Sequence, residues 1–172
     1  MASLGTPATF NASSVAQGVI VTETQTGGNG GLGINRANGG NGADSSLANA
    51  ISGGIGVSLT QDAAGGRGGD SVTGSVGIAG NASSTLSVSD RSDVVDGIAI
   101  TTHHSDVSVQ ATGGNGGNFV LAGAVGDGGN GGSGFASATN TGANGSQVSA
   151  RAIAGDGGAG AGAGHSGGNG GT

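Results

Sequence analysis

The chain has 172 residues, of which 44 are glycine, one is proline and none is cysteine. One proline excludes collagen, and the lack of cysteine excludes disulfides and thiolate metal sites. Charged residues are 8% of the chain and the net charge is −6 with no lysine, so there is no basic footprint for nucleic acid; no apolar run is long enough to cross a membrane as a helix.

Residues 1–14 are small and polar and read as a flexible lead-in. Residues 15–26 read as an N-terminal strand. Val19, Val21, Glu23 and Gln25 alternate with Ile20, Thr22, Thr24 and Thr26, and β-branched residues dominate. Residues 27–154 read as a repeat domain of glycine strings and short apolar-alternating segments, and 155–172 as a Gly/Ala-rich C-terminal segment.

The string Gly-Gly-x-Gly-Gly occurs at 27–31, 65–69, 113–117, 128–132 and 167–171, with a near copy at 39–43. Its middle residue is Asn in four of the five full copies and Arg67 in the other. Glycine at every third position matches an extended helix with three residues per turn, which has no internal hydrogen bonds and must pair with neighbours. The strings therefore read either as tight corners or as a second layer of extended helices. They recur at steps of 12 to 15 residues, and the 48-residue gap from Gly65 to Gly113 reads as four such steps.

The intervening segments read as strands. The predicted faces are Leu47, Asn49 and Ile51; Ile55, Val57 and Leu59; Val72, Val76 and Ile78; Leu86 and Val88; Ile98 and Ile100; Val107 and Val109; Phe119, Leu121 and Val125; Phe135; and Val148, Ala150 and Ala152. No window reads as a helix, because Gly, Ser, Thr and Val interrupt every alanine run. The fold expected is all-β, an elongated repetitive β-solenoid or stacked-sheet arrangement with glycine-rich extended segments.

One stretch carries a metal signal. Gly65 to Thr73 fits Gly-Gly-x-Gly-x-Asp-x-apolar-x, and here the chain resembles the calcium-binding β-rolls of the RTX family. That resemblance implies Asp70 as a calcium ligand, carboxylate oxygen being a hard donor. Gly113–Leu121 repeats the pattern with Asn118 in place of the Asp, and Gly39–Leu47 keeps Asp44 but has Ser46 at the apolar position. The copies stand apart, whereas the family's are tandem. The expectation is accordingly no required cofactor, with calcium at Asp70 as the one metal alternative.

Asp90, Asp93 and Asp96 read as a solvated turn beside Arg91, and the adjacent His103 and His104 point to opposite faces of a strand. His165 has no partner near it in sequence. No nucleophile elbow and no P-loop lysine are present, so neither an enzyme nor a small-molecule substrate is expected.

In composition, residues 27–172 resemble glycine-rich repeat proteins of bacterial surfaces. That resemblance implies an extracellular, self-assembling structural protein such as a fibre, sheath or surface-layer subunit, whose partner is itself. Val19, Ile20, Val21, Thr22 and Thr24 are the expected self-association residues, because the edges lack the lysines and prolines that normally blunt them. Three alternatives stand beside this one. The row Thr22, Thr24, Thr26 and the Gly-Gly-x strings resemble glycine-rich springtail antifreeze proteins, which implies ice binding. The nonapeptide implies an RTX-like calcium roll. Glycine-helix layers also resemble those of tail-fibre adhesins, which bind receptors through loops at one end.

Overall fold

The computed structural model describes residues 10–12, 19–53, 57–89, 93–95, 98–100, 105–141 and 146–172. Eleven strands follow in order: β1 (Phe10–Ala12), β2 (Val19–Thr26), β3 (Ser45–Ala48), β4 (Ile51–Gly53), β5 (Val57–Ala64), β6 (Ala82–Ser89), β7 (Asp93–Val95), β8 (Ile98–Ile100), β9 (Asp106–Thr112), β10 (Gly134–Thr141) and β11 (Val148–Ile153). Among the described residues there is no helix, and the fold is all-β with parallel sheets.

The chain alternates between two sheets. One has the order β11-β9-β5-β2 and the other β10-β6-β3, and every neighbouring pair in both is parallel. In the four-stranded sheet Val19 lies beside Val57, Leu59 beside Val107, and Val107 beside Val148. In the three-stranded sheet Ser45, Ala82 and Gly134 lie in one row. β1 adds to β4 in parallel, and β7 and β8 form a small antiparallel hairpin between β6 and β9.

The alternation read from β2 holds. Val21 is buried, Val19, Glu23 and Gln25 are half-buried, and Ile20, Thr22, Thr24 and Thr26 face out. The two sheets close on a small core of Val21, Ile51, Val57, Leu59, Leu86, Val88, Val107 and Val109. A second cluster of Leu47, Ala50, Ala63, Ala82 and Ala111 lies beside it. Burying an aliphatic side chain is worth about 1.5–3 kcal/mol, so so few large side chains leave much of the molecule to be held by main-chain contacts.

Those contacts are in the glycine segments, which form a double layer. The N–H groups of Gly27, Gly30 and Gly33 donate to the carbonyls of Ala64, Arg67 and Asp70. Gly65, Gly68 and Ser71 donate in turn to Thr112, Asn115 and Asn118, and Gly113 and Gly116 to Ile153 and Asp156. Donors at every third residue are the mark of a three-residue helix. This outbound layer comprises 27–33, 64–71, 112–119 and 154–161. The return layer comprises 37–44, 74–81, 126–134 and 166–172, linked for example by Gly39 to Ser75 and Gly128 to Ser166. The layers are bonded to each other as well: Gly66 donates to Ala43, Gly80 to Gly66, and Gly114 to Gly80.

Glycine is needed here for closeness rather than for unusual dihedrals. A Cβ built at Gly30, Gly69 or Gly116 would run into the backbone carbonyl of Gly40, Gly31 or Gly129. Only Gly123, Gly126, Gly162 and Gly164 among the described glycines have positive φ, all at the loop end of the layers. The terminal Gly/Ala segment belongs to this construction, with Gly168 and Gly171 donating to Gly158 and Gly155.

Several sequence readings are corrected. Residues 72–81 and 119–126 form no strand; Gly74, Gly77 and Gly80 set a three-residue period there, and Val76 and Ile78 follow it. Leu121 and Val125 sit exposed in a loop. Asn49 does not share a face with Leu47 and Ile51: its φ is 47°, and it turns the corner between β3 and β4. The step of 12 to 15 residues is one segment and not one repeat. Neighbours in space are 37 or 38, 48, 41 or 52 residues apart in sequence. Ile55, Asp90, Arg91, Asp96, His103 and His104 lie outside the described residues, as do 13–18.

Candidate functional site

In a three-residue helix each residue faces a different way. Within these layers, one residue in three faces out, and its N–H is left over by the helix-to-helix bonds. Side chains fill that need. Asn29 Oδ1 accepts from the N–H of Arg67 at 2.8 Å, and Asp70 Oδ1 from Asn118 at 2.8 Å. Asn115 and Asn118 accept from Asp156 and Ala159 at 3.0 and 2.7 Å. The return layer repeats the device: Asn38 to Ser75, Asn41 to Ile78, Asp44 to Asn81, and Asn130 to Asn169. Asn stands in the middle of Gly-Gly-Asn-Gly-Gly because its carbonyl oxygen reaches the N–H of the next helix.

Arg67 breaks this ladder, having no acceptor to offer. Its guanidinium instead pairs with Asp70 Oδ1 at 2.8 Å. The same Asp70 oxygen thus meets two donors, the Asn118 N–H and Arg67. Residues 65–71 of the RTX-like stretch lie in the outbound layer, and 72–74 form a bend rather than a strand. No group of three His, Cys, Asp or Glu gathers among the described residues.

The five residues expected to self-associate lie on β2, the outer strand of the four-stranded sheet. One side of β2 is bonded to β5 of the same chain, from Val19–Val57 to Thr26–Ala64. Its other side carries no described strand. Ile20 is 74% exposed, and Thr22 and Thr24 are exposed beside it. β11 is the opposite outer strand.

Two polar features escaped the sequence reading. Gln61 is fully buried between the sheets. Its Oε1 accepts from Ala50 N–H at 3.0 Å, and its Nε2 donates to Ser84 Oγ at 3.0 Å and to the Thr85 carbonyl at 3.1 Å. A polar residue at an inward position of β5 was the available signal. His165, with no partner near it in sequence, has Nδ1 3.1 Å from Asp127 Oδ1. The Ser166 N–H and the His165 ring hold the Asp127 carboxyl below the usual carboxylate range.

The loop end of the glycine layers gathers apolar side chains. Gly33, Ser71 and Phe119 lie side by side there, and Leu32, Ile34, Val120, Leu121 and Val125 are all exposed. At the other end of the layers, an open depression of about 310 Å³ lies over Ser46, Ser83 and Phe135; it holds no nucleophile–base pair. No helix of the described residues is long and apolar enough to cross a membrane. No family model, no curated protein and no solved structure matches the chain.

Proposed function

We propose that the protein is a structural subunit that associates with itself, an extracellular fibre, sheath or surface-layer component. Its fold is read as a flattened β-solenoid of four laps, each made of a strand, a glycine helix out and a glycine helix back, with a second strand in the first three. The observation that carries the reading is β2: a parallel edge strand with Ile20 exposed and with no Lys or Pro to blunt it. The rest of the molecule suits the role. It is built from main-chain bonds that repeat along one direction, and it offers no catalytic grouping among its described residues. Stacks of this kind need polar caps to stay monomeric.

Sedimentation over a wide concentration range tests this. The reading expects species larger than the monomer that grow with concentration and are elongated in negative stain. A monomer at all concentrations would overturn it. A second reading would then take its place, in which the exposed apolar loop end binds a receptor in the manner of an adhesin. The observation favouring it is the gathering of Ile34, Val120, Leu121 and Val125 at one end.

A further inference from the structure

The glycines of the double layer fall into equivalent positions from lap to lap, and at most of them a Cβ would strike a carbonyl of the neighbouring lap. Gly66 and Gly69 are blocked by Gly28 and Gly31, Gly114 and Gly117 by Gly66 and Gly69, and Gly155 and Gly158 by Gly114 and Gly117. Gly28 and Gly31 hold the same position in the first lap, yet a Cβ there would meet nothing within 4 Å. The opposite end shows the same exception. Gly128 and Gly131 are blocked by Gly158 and Gly155, whereas a Cβ at the equivalent Gly167 and Gly170 would come no closer than 3.2 and 3.7 Å to those carbonyls. Among the described residues, no backbone atom blocks a Cβ at these four places as it does at their counterparts.

The hydrogen-bonding groups left over at the two ends match in kind. Gly66 and Gly69 donate backward to Ala43 and Gly40, but the equivalent N–H groups of Gly28 and Gly31 meet no partner among the described residues. The carbonyls of Ala43 and Gly40 correspond to those of Gly171 and Gly168, which accept nothing from the described residues. Asn29 and Asn115 each accept from the next lap, while the carboxylate of Asp156, at the same position, has no such partner.

The core is open at that end too. Val148 is 45% exposed although Val107, beside it in register, is 2% exposed, because the three-stranded sheet stops one strand short.

From these three observations we infer that a second copy of this chain docks head to tail, its first lap continuing the last lap of its neighbour in register. Gly28 and Gly31 of one copy lie against Gly155 and Gly158 of the other, and β2 pairs with β11. The inference rests on the self-association reading and adds the surface and the register. A contact between unlike ends does not close on itself and so gives filaments.

The test uses the full chain, which has no cysteine of its own. Asn29→Cys with Asp156→Cys puts thiols at opposite ends of one molecule and side by side across the junction. Under mild oxidation they should give a ladder of disulfide-linked multimers. Gly28→Val with Gly31→Val should leave the melting temperature of the dilute protein unchanged, since the added side chains enter open space. It should weaken association by about tenfold or more, since they would strike the partner's backbone. If the protein associates but the cysteine pair gives no linked multimers and the valines change nothing, this docking is wrong and the self-association reading survives. If the wild type never associates, the reading itself fails.

Discussion

The side-chain oxygen of Asn29 accepts a hydrogen bond from the backbone N–H of Arg67, 2.8 Å away and 38 residues later in the chain. The relation recurs from helix to helix, and it explains the middle residue of the glycine string. A side-chain carbonyl supplies the acceptor that a three-residue helix cannot supply to its neighbour. Truncating Asn115 to Ala should therefore free the Asp156 N–H. The site is exposed, so the expected cost is about 0.5–1 kcal/mol, or a few degrees in melting temperature. Asn115→Asp keeps the acceptor and should cost less than Asn115→Ala. Equal losses in thermal melts would show that the ladder contributes nothing.

Arg67 gives the converse prediction. Because it replaces the expected Asn, the N–H of Asn115 has no acceptor from the preceding helix, unlike its counterparts Arg67 and Asp156. Arg67→Asn completes the ladder at the loss of an ion pair with Asp70 whose Arg side chain is 46% exposed. Such a pair is worth about 0–1 kcal/mol, less than or similar to the hydrogen bond gained. Denaturant titration should find the variant as stable as the parent or more so. A clear destabilisation would mean that Arg67 matters in a way the ladder does not explain.

Glycine substitutions should split by position. Gly116→Val places a side chain against the Gly129 carbonyl and Gly131→Val against that of Gly155, both backbone atoms fixed by their own hydrogen bonds. Overpacking of this sort costs about 1–3 kcal/mol or more. Melting close to that of the parent for both variants would mean that the strings are linkers.

Gln61→Leu preserves most of the volume but strands the Ala50 N–H in the core. Each buried unpaired group costs about 1–3 kcal/mol. The variant should melt well below the parent, with Gln61→Glu as a second case in which the donor side is lost. A neutral Gln61→Leu would show that solvent reaches this site.

Asp127 makes a pH prediction. Its folded-state pKa is lowered by the Ser166 N–H and by His165, so its stabilising effect is present above the unfolded value near 3.8 and is lost as the pH falls through the folded value. Asp127→Asn keeps an acceptor for Ser166 without titrating, so it should lose less stability than the parent on acidification through this range. Identical acid unfolding curves would remove Asp127 from the account. Calcium at millimolar concentration should leave the melting temperature unchanged. A rise of many degrees that Asp70→Ala abolishes would promote the β-roll reading.

Much of the fold was legible where side chains alternate with period two. Val19 to Thr26, Val57 with Leu59, Leu86 with Val88 and Val107 with Val109 face as their sequence says, because burial on one side of a strand is a local signal. The glycine triplets announced a three-residue helix, and Gly74, Gly77 and Gly80 carried the same signal where Val76 and Ile78 were mistaken for a strand. Neither the partner of each glycine segment nor the sequence distance between partners could be read. Both depend on which segments lie side by side, and the connections differ, with β7 and β8 lengthening the one between β6 and β9. Asn49 was misplaced because a left-handed corner leaves no mark in an alternating pattern. The roles of Asn29 and Asn115 were hidden for the same reason: each acts on a residue about 40 positions away.

Residue-resolved hydrogen exchange, in dilute and in concentrated protein, tests the account most directly. The amides of Gly66, Gly69, Gly114 and Gly117, all bonded between layers, should exchange slowly in both conditions. Those of Gly28 and Gly31 should exchange fast in the dilute protein and slowly once it associates. Exchange of all these glycines at the rate of an unstructured chain would contradict the double layer and, with it, the docking built upon it.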